Sequence, residues 1–266
     1  MKRVFALVAV ALLFAVSQTA LAGGRGDQAN VLRVGATPVP HSELLHLISG
    51  DLAARGITLR IVEFTDFITP NIALLDGSID ANFFQHLPFL QSNADWYARL
   101  VSVFGVHVEP FGLYSRRFNS VDELPYGAEI AIPNDPTNGG RALLLLQANG
   151  LITLREDAGL QATPHDIVSN PRGFVFRPLE AAQLPRALDD VHAATINGNF
   201  AMQAGFNPQQ DSLIIEDGDS TYVNIVAVQR GFENDPRIIA LRDVLLSPRV
   251  RDFINERYDG GVVAVF

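Results

Sequence analysis

Apolar and polar positions along the chain alternate between two rhythms. "VLRVGAT" is a short β-rich run, and "HSELLHLISGDLAARG" follows it with Leu44, Leu45, Ile48 and Leu52 on one helical face and Gly56 as a stop. "ITLRIVEF" then alternates at Ile57, Leu59 and Ile61 as a second strand, and "TPNIALLDG" reads as a shorter helix closed by Gly77. The same rhythm restarts with strand "AEIAIPN" and helix "RALLLLQANG", then strand "FVFRPLE" and helix "AAQLPRALDD", then strand "HAATING". Strand "YVNIVAVQRG" comes next, and "PRIIALRDVLLSPRVRDFINERY" reads as helical to near the end. Strands alternating with helices at this spacing predict an α/β fold built from βαβ units on largely parallel sheets. Two successive systems, joined by extended segments near Leu113 and Val223, predict two lobes with a cleft between them.

The first residues follow neither rhythm. A basic head (Lys2, Arg3), an apolar run from Val4 to Val16, and "ALA" ending at Ala22 form the pattern of a cleavable secretory signal over residues 1–22. The apolar run falls short of the roughly 20 residues that span a bilayer. Residues 23–30 read as a flexible lead-in. Of the 266 residues, 20 are basic and 29 acidic, a net charge of −9 that becomes −11 without Lys2 and Arg3. That balance argues against nucleic-acid partners and anionic membranes. There is no cysteine, so disulfides, thiolate metal sites, cysteine nucleophiles and a lipid anchor on an N-terminal cysteine are all excluded by this reading.

In open α/β sheets ligands sit at the carboxyl ends of strands, where "EFTDF", "DANFFQH", "IPNDPTNGGR", "INGN" and "YVN" all fall. Arg141 follows Gly139 and Gly140 at the start of an apolar helix, a setting in which a planar guanidinium suits a carboxylate. Either a ligand or an internal acid such as Asp135 or Asp217 satisfies it. Asn197, Asn199 and Asn224 offer amides; Asn224 interrupts an apolar strand, where a polar side chain needs a partner. Phe67, Phe84, His86 and Phe89 form an aromatic cluster that reads as a core or as the wall of an apolar pocket. One arginine, several asparagines, one histidine and aromatic rings together suit a zwitterionic amino acid with a sizeable apolar side chain. Enzyme signatures (G-x-S-x-G, G-x-x-x-x-G-K, H-E-x-x-H) are absent. His41, His46, His86 and His107 lie in the first half, but His41 and His46 do not share a helix face, so neither a metal nor a cofactor is expected.

The blocks "VGATPVPHSE", "IVEFTDFITPNIALLDGSIDANFFQHLPFL", "ELPYGAEIAIPNDPTNGGRALLLLQANGLI", "AAQLPRALDDVHAATINGNFA" and "DSTYVNIVAV" closely resemble the methionine-binding lipoprotein family, the substrate-binding subunits of bacterial methionine ABC importers. The resemblance covers residues 31 to 258. It implies a two-lobed periplasmic binding protein of type II, with lobe 1 at 31–113 plus 224–266 and lobe 2 at 114–223. It implies methionine, L or D or in a dipeptide, as ligand, and an ABC permease with its ATPase as partners. Carried across by position, Arg141 holds the carboxylate, Asn197 and Asn224 the polar ends including the ammonium, and Phe67, Phe84, His86 and Phe89 the side chain. The chain departs from the family at Phe67 and Phe89, where tyrosine is common, and at Val39, where glycine is common. Family members also carry a cysteine at the cleavage site, so the expectation here is a monomeric protein free in the periplasm, not lipid-anchored. Rival readings are a binding protein for another apolar amino acid, a sensory module, or a periplasmic enzyme on amino-acid derivatives.

Overall fold

The computed structural model describes residues 30–217 and 221–266. The expected signal at 1–22 and nearly all of the lead-in lie outside them. The strands form two main sheets. The first runs in the order Val263–Ala264, Leu100–Val108, Asn224–Gln229, Ala81–His86, Val31–Ala36, Thr58–Glu63. The second runs Ser212–Ile215, Gly112–Tyr114, Ala193–Ile196, Glu129–Pro133, Val175–Leu179. Each sheet has three parallel strands joined through helices, and antiparallel strands fill the remaining positions. The sheets are therefore mixed where periodicity alone predicts largely parallel ones. The antiparallel members include the strands flanking the crossovers, Leu100–Val108 and Gly112–Tyr114 on the way out and Ser212–Ile215 and Asn224–Gln229 on the return. Two crossovers thus connect two α/β lobes, and Asn224–Gln229 re-enters the first sheet between Ala81–His86 and Leu100–Val108.

Helical spacing places the cores. Leu44, Leu45, Ile48 and Leu52 are fully buried on one face of helix Glu43–Ala54, packed with Leu32, Val34, Phe83 and Val226 of the first sheet. Gly56, at φ 77°, ends that segment in the left-handed region open to glycine. In the second lobe, Ala142, Leu143, Leu145 and Leu146 pack one side of helix Pro136–Ala148 with Phe111, Ile130 and Ile132.

Proline sets three boundaries that apolar spacing does not show. The last helical stretch divides into Pro236–Leu245 and Pro248–Tyr258, because Pro248 lacks the N–H needed to continue the ladder. "AAQLPRALDD" shortens to a 3₁₀ turn, Ala181–Gln183, and one α-turn, Leu184–Ala187, with Pro185 in its opening turn. Helix Pro136–Ala148 begins five residues before Arg141, with Pro136 in its first turn and Asp135 as its N-cap, accepting from the Asn138 N–H. Arg141 therefore sits inside the helix and not at its free N-terminus. Gly139 and Gly140 are there for packing. A Cβ on Gly140 would stand 2.2 Å from the Leu160 carbonyl oxygen, and one on Gly139 would stand 2.8 Å from that of Pro133.

Two glycine substitutions separate these effects. Gly140→Ala is expected to destabilise by about 1–3 kcal/mol, since backbone must move to admit the methyl. Gly50→Ala, in mid-helix with nothing within 4 Å of its Cβ position, is expected to stabilise by about 0.5–1 kcal/mol. Urea unfolding of both variants checks the pair; a stable Gly140→Ala contradicts the close-packing account.

Candidate ligand site

A narrow cavity lies between the lobes. Its lining includes all eight residues singled out from the sequence: Phe67, Phe84, His86, Phe89, Arg141, Asn197, Asn199 and Asn224. Gln85, Glu109, Asn138 and Gly198 complete it.

One side of the cavity is fixed by Asp135. Both of its carboxylate oxygens accept from Asn138 Nδ2, each at 3.0 Å. Because a carboxylate only accepts, the Asn138 amide has one possible orientation, with Oδ1 turned outward. That oxygen accepts from Asn197 Nδ2 at 2.9 Å and from His86 Nε2 at 3.1 Å. His86 is thereby the Nε2–H tautomer, and its bare Nδ1 accepts the Phe89 N–H at 3.1 Å as the cap of helix Leu87–Ser92. Both ring nitrogens are used within the protein, so His86 gives the cavity a ring edge and no free hydrogen-bonding group. Asn197 is left with Oδ1 buried and unpartnered, and Asn199 Nδ2 is in the same condition.

Arg141, 3 % exposed, points Nε and Nη2 at Glu216, at 2.7 and 2.5 Å, and Nη2 also donates to the Glu109 carbonyl at 3.0 Å. Its guanidinium carbon lies 4.1 Å from the Tyr222 ring centre and 5.0 Å from that of Phe111. An internal acid does pair with this arginine. It is Glu216, whereas Asp135 is committed to the helix cap. Nη1 has no hydrogen bond among the described residues.

Facing this polar wall, Phe67 stands 6.0 Å from Phe84, 5.9 Å from Phe89 and 4.8 Å from Phe200 of the other lobe, centre to centre. These rings offer faces and edges to an apolar guest. Asn224 finds the partner its strand position demands in His41, whose Nε2–H donates to Oδ1 at 3.0 Å. The same Nε2 lies 3.3 Å from Glu109 Oε1, and His107 Nε2 donates to that oxygen at 2.9 Å.

His41, His107 and Glu109 form the one trio among the described residues whose donor atoms lie within 4.8 Å of one another as a metal would need. His46, paired with His41 in the sequence reading, takes no part. Hydrogen bonds within the trio and to Asn224 and Thr37 account for these donors, except His107 Nδ1. Sequence reasoning missed Glu109, although it interrupts the apolar run "VSVFGVHVEPFGLY" much as Asn224 interrupts its own strand.

Comparison with known proteins gives this geometry a context. Residues 32–266 match the model of the NlpA lipoprotein family. The chain belongs to that family. It is 46% identical to the membrane lipoprotein TpN32 of Treponema pallidum, over 87% of each chain, and 43% identical to the D-methionine-binding lipoprotein MetQ of Salmonella typhimurium, over 78% of each. Among solved structures, a nutrient binding protein from Burkholderia cenocepacia bound to methionine is 40% identical and superimposes with a TM-score of 0.85, covering 88% of this chain and all of that one. The two-lobed substrate-binding fold expected from the sequence is thus the fold of this NlpA-family chain. One expectation is overturned, that the protein is free of the membrane and not a lipoprotein: the family is one of lipoproteins, and the relatives are named as such. That expectation took one missing residue type, read in a segment outside the described residues, to decide how the whole protein is held.

The buried imidazoles make the site sensitive to acid. Desolvation lowers His41 to about 4 and His86 and His107 to about 3, against 6.5 for an ordinary histidine, with the Arg141 charge adding to the effect at His86. The unfolded chain therefore binds more protons below pH 6.5, so the contribution of these residues is complete above that pH and is lost as the pH falls toward 4. Burial pushes the Glu109 carboxyl up, which works the other way, but it is one group against three. The thermal midpoint of ligand-free protein is expected to hold between pH 7 and 8 and to fall progressively between about 6.5 and 4.5; a flat profile there contradicts the assignment of buried neutral imidazoles.

Proposed function

We propose that this chain binds methionine between its lobes and hands it, by lobe closure, to an ABC permease driven by an ATPase. The observation carrying this reading is the set of polar groups left without partners in a buried cavity, since such groups are costly unless a guest satisfies them. The lining carries donors that the protein leaves unused: Asn199 Nδ2, Arg141 Nη1 and Asn224 Nδ2, the last freed because Oδ1 is held by His41. They suit a carboxylate. Asn197 Oδ1 is an acceptor and suits an ammonium. Phe67, Phe84, Phe89 and the His86 ring suit a thioether chain, because sulfur packs favourably at aromatic edges. Relatives named as methionine-binding, and one solved with methionine, support the same ligand.

Binding in this proposal involves no bond-making. The site's histidines are tied up in structural hydrogen bonds, and a similar solved structure, 41% identical, is named as the periplasmic substrate-binding protein of an ABC transporter. The lobe division belongs to the same proposal, as 31–113 with 224–266 against 114–223. Gly112 and Leu113 pair in the second sheet, which argues for placing the first crossing just ahead of Gly112.

Calorimetric titration of unfolded-and-refolded protein with L-methionine, D-methionine and glycyl-methionine tests the reading. One of the three is expected to bind tightly. Arg141→Ala is expected to weaken it by about 2–5 kcal/mol, roughly 30- to 3,000-fold, since it removes a buried charged partner. No heat from any of the three, with folding intact, would remove methionine as the ligand.

A further inference from the structure

Three amide side chains are buried together beside the aromatic wall of the cavity: Asn71 and Asn82, fully buried, and Gln85, 3 % exposed. Asn71 lies in helix Thr69–Leu75, whose Ala73 and Leu74 pack in one cluster with Phe67, Phe84 and Phe89. Asn82 and Gln85 lie in strand Ala81–His86. Residues three apart on a regular strand point to opposite faces. Here the pairing slips between Gln85↔Ile225 and Phe83↔Val226, and the irregularity brings Gln85 round to Asn82, with Nε2 3.0 Å from Asn82 Oδ1.

The Pro70 carbonyl can only accept, so the Asn82 amide is oriented with Nδ2 toward it at 3.3 Å and toward Asn71 Oδ1 at 2.8 Å. Asn82 Oδ1 then accepts from Gln85 Nε2, which also donates to Asn71 Oδ1 at 2.9 Å. Asn71 Nδ2 returns a hydrogen bond to Gln85 Oε1 at 2.9 Å, closing a reciprocal amide pair. Gln85 thus belongs to the cavity lining, yet both hydrogens of its amide nitrogen and its amide oxygen are taken up inside the protein. Asn197 and Asn199 in the same lining each keep an unpartnered amide atom; Gln85 keeps none.

We infer that Asn71 and Asn82 are positioning residues for specificity: by holding the Gln85 amide off the ligand they keep the side-chain end of the cavity apolar, and so exclude amino acids of methionine's length that end in an amide. This rests on the amino-acid reading above and adds to it the device that rejects a polar competitor. Glutamine is close to methionine in length. Its amide, placed among Phe67, Phe84 and Phe89, would lose water and find no partner, which is costly. A Gln85 amide released from Asn71 is the partner it lacks, because the ligand's amide would then form the reciprocal pair that Asn71 forms in the protein as it stands.

The test uses methionine, its apolar isostere norleucine and its polar isostere glutamine, each in the enantiomer that the unmodified protein prefers. They are titrated, the weaker by competition, into the full chain, into Asn71→Ala, and into a double variant that adds Gln85→Leu. The unmodified chain is expected to bind norleucine about 100-fold or more tighter than glutamine, and Asn71→Ala to narrow that ratio by at least about tenfold. In the double variant the ratio is expected to widen again, since no amide is left to release. A ratio unchanged in Asn71→Ala, with both ligands weakened alike or neither, would make the three amides a fold-holding network only and overturn the inference. So would a ratio that stays narrow in the double variant, or an unmodified chain that takes glutamine as well as norleucine. Failure of methionine to bind the unmodified protein would sink the function proposed above, and this inference with it. If Asn71→Ala does not fold, a crystal structure of the unmodified protein with methionine decides. A Gln85 amide still paired with Asn71 and Asn82 and beyond about 3.5 Å from every polar atom of the ligand supports the inference, and one hydrogen-bonded to the ligand overturns it.

Discussion

A side-chain amide can present either end to a cavity until something forces the choice, and here Asp135 forces it. A carboxylate that accepts twice from Asn138 turns that residue's oxygen outward; the oxygen then claims the Asn197 amide hydrogens and the His86 proton. What remains facing the cavity is an acceptor on Asn197 and a ring edge on His86. The polarity of the candidate site is thus set by an acid whose visible role is to cap a helix. The same chain of bonds joins the lobes, because His86 ends a strand of the first sheet and Asn138 lies in a helix of the second lobe.

Arg141 shows the same economy. Two of its nitrogens hold Glu216, which follows the last strand of the second lobe, and one also holds the backbone at Glu109, where the chain leaves the first. The two rings against the guanidinium, Phe111 and Tyr222, belong to the two crossovers. Its position is therefore coupled to both crossovers, which suits the lobe closure proposed above. Opposite it, Phe67 packs in the aromatic clusters of both lobes.

Much of this could be read in the sequence, and the misses have specific causes. The leucine spacing after Arg141 and the Leu44–Leu52 face gave the helices, because burial on one face leaves a period in the chain. "EFTDF", "IPNDPTNGGR" and "INGN" follow strands as expected, whereas "DANFFQH" is itself the buried strand Ala81–His86 and Asn224 opens an antiparallel strand instead of closing a parallel one. The start of helix Pro136–Ala148 was misjudged because its first turn, "PTNGG", carries no apolar period; Asp135 and Pro136 were the signals that counted. Gly139 and Gly140, which precede Arg141 in the sequence, admit the chain's own backbone at Pro133 and Leu160. Glu109 was overlooked because the residues that explain it are not its neighbours in sequence: His41 and the Gly198 turn come to it through the meeting of two lobes. Glu216, 75 residues from Arg141, was invisible for the same reason, although an acid beside Asp217 was the right neighbourhood.

The central claim is that the cavity is complementary to a zwitterion, with donors for a carboxylate and acceptors for an ammonium. The most direct measurement is the affinity of the refolded, unmodified chain for methionine beside its two half-charged relatives, methioninamide and 4-(methylthio)butanoate. Loss of one desolvated charge contact should weaken binding by about 2–5 kcal/mol, so each relative is expected to bind at least about 30-fold more weakly than methionine. A relative that binds as well as methionine would mean that the corresponding end of the cavity does not read charge, and the account would fail there.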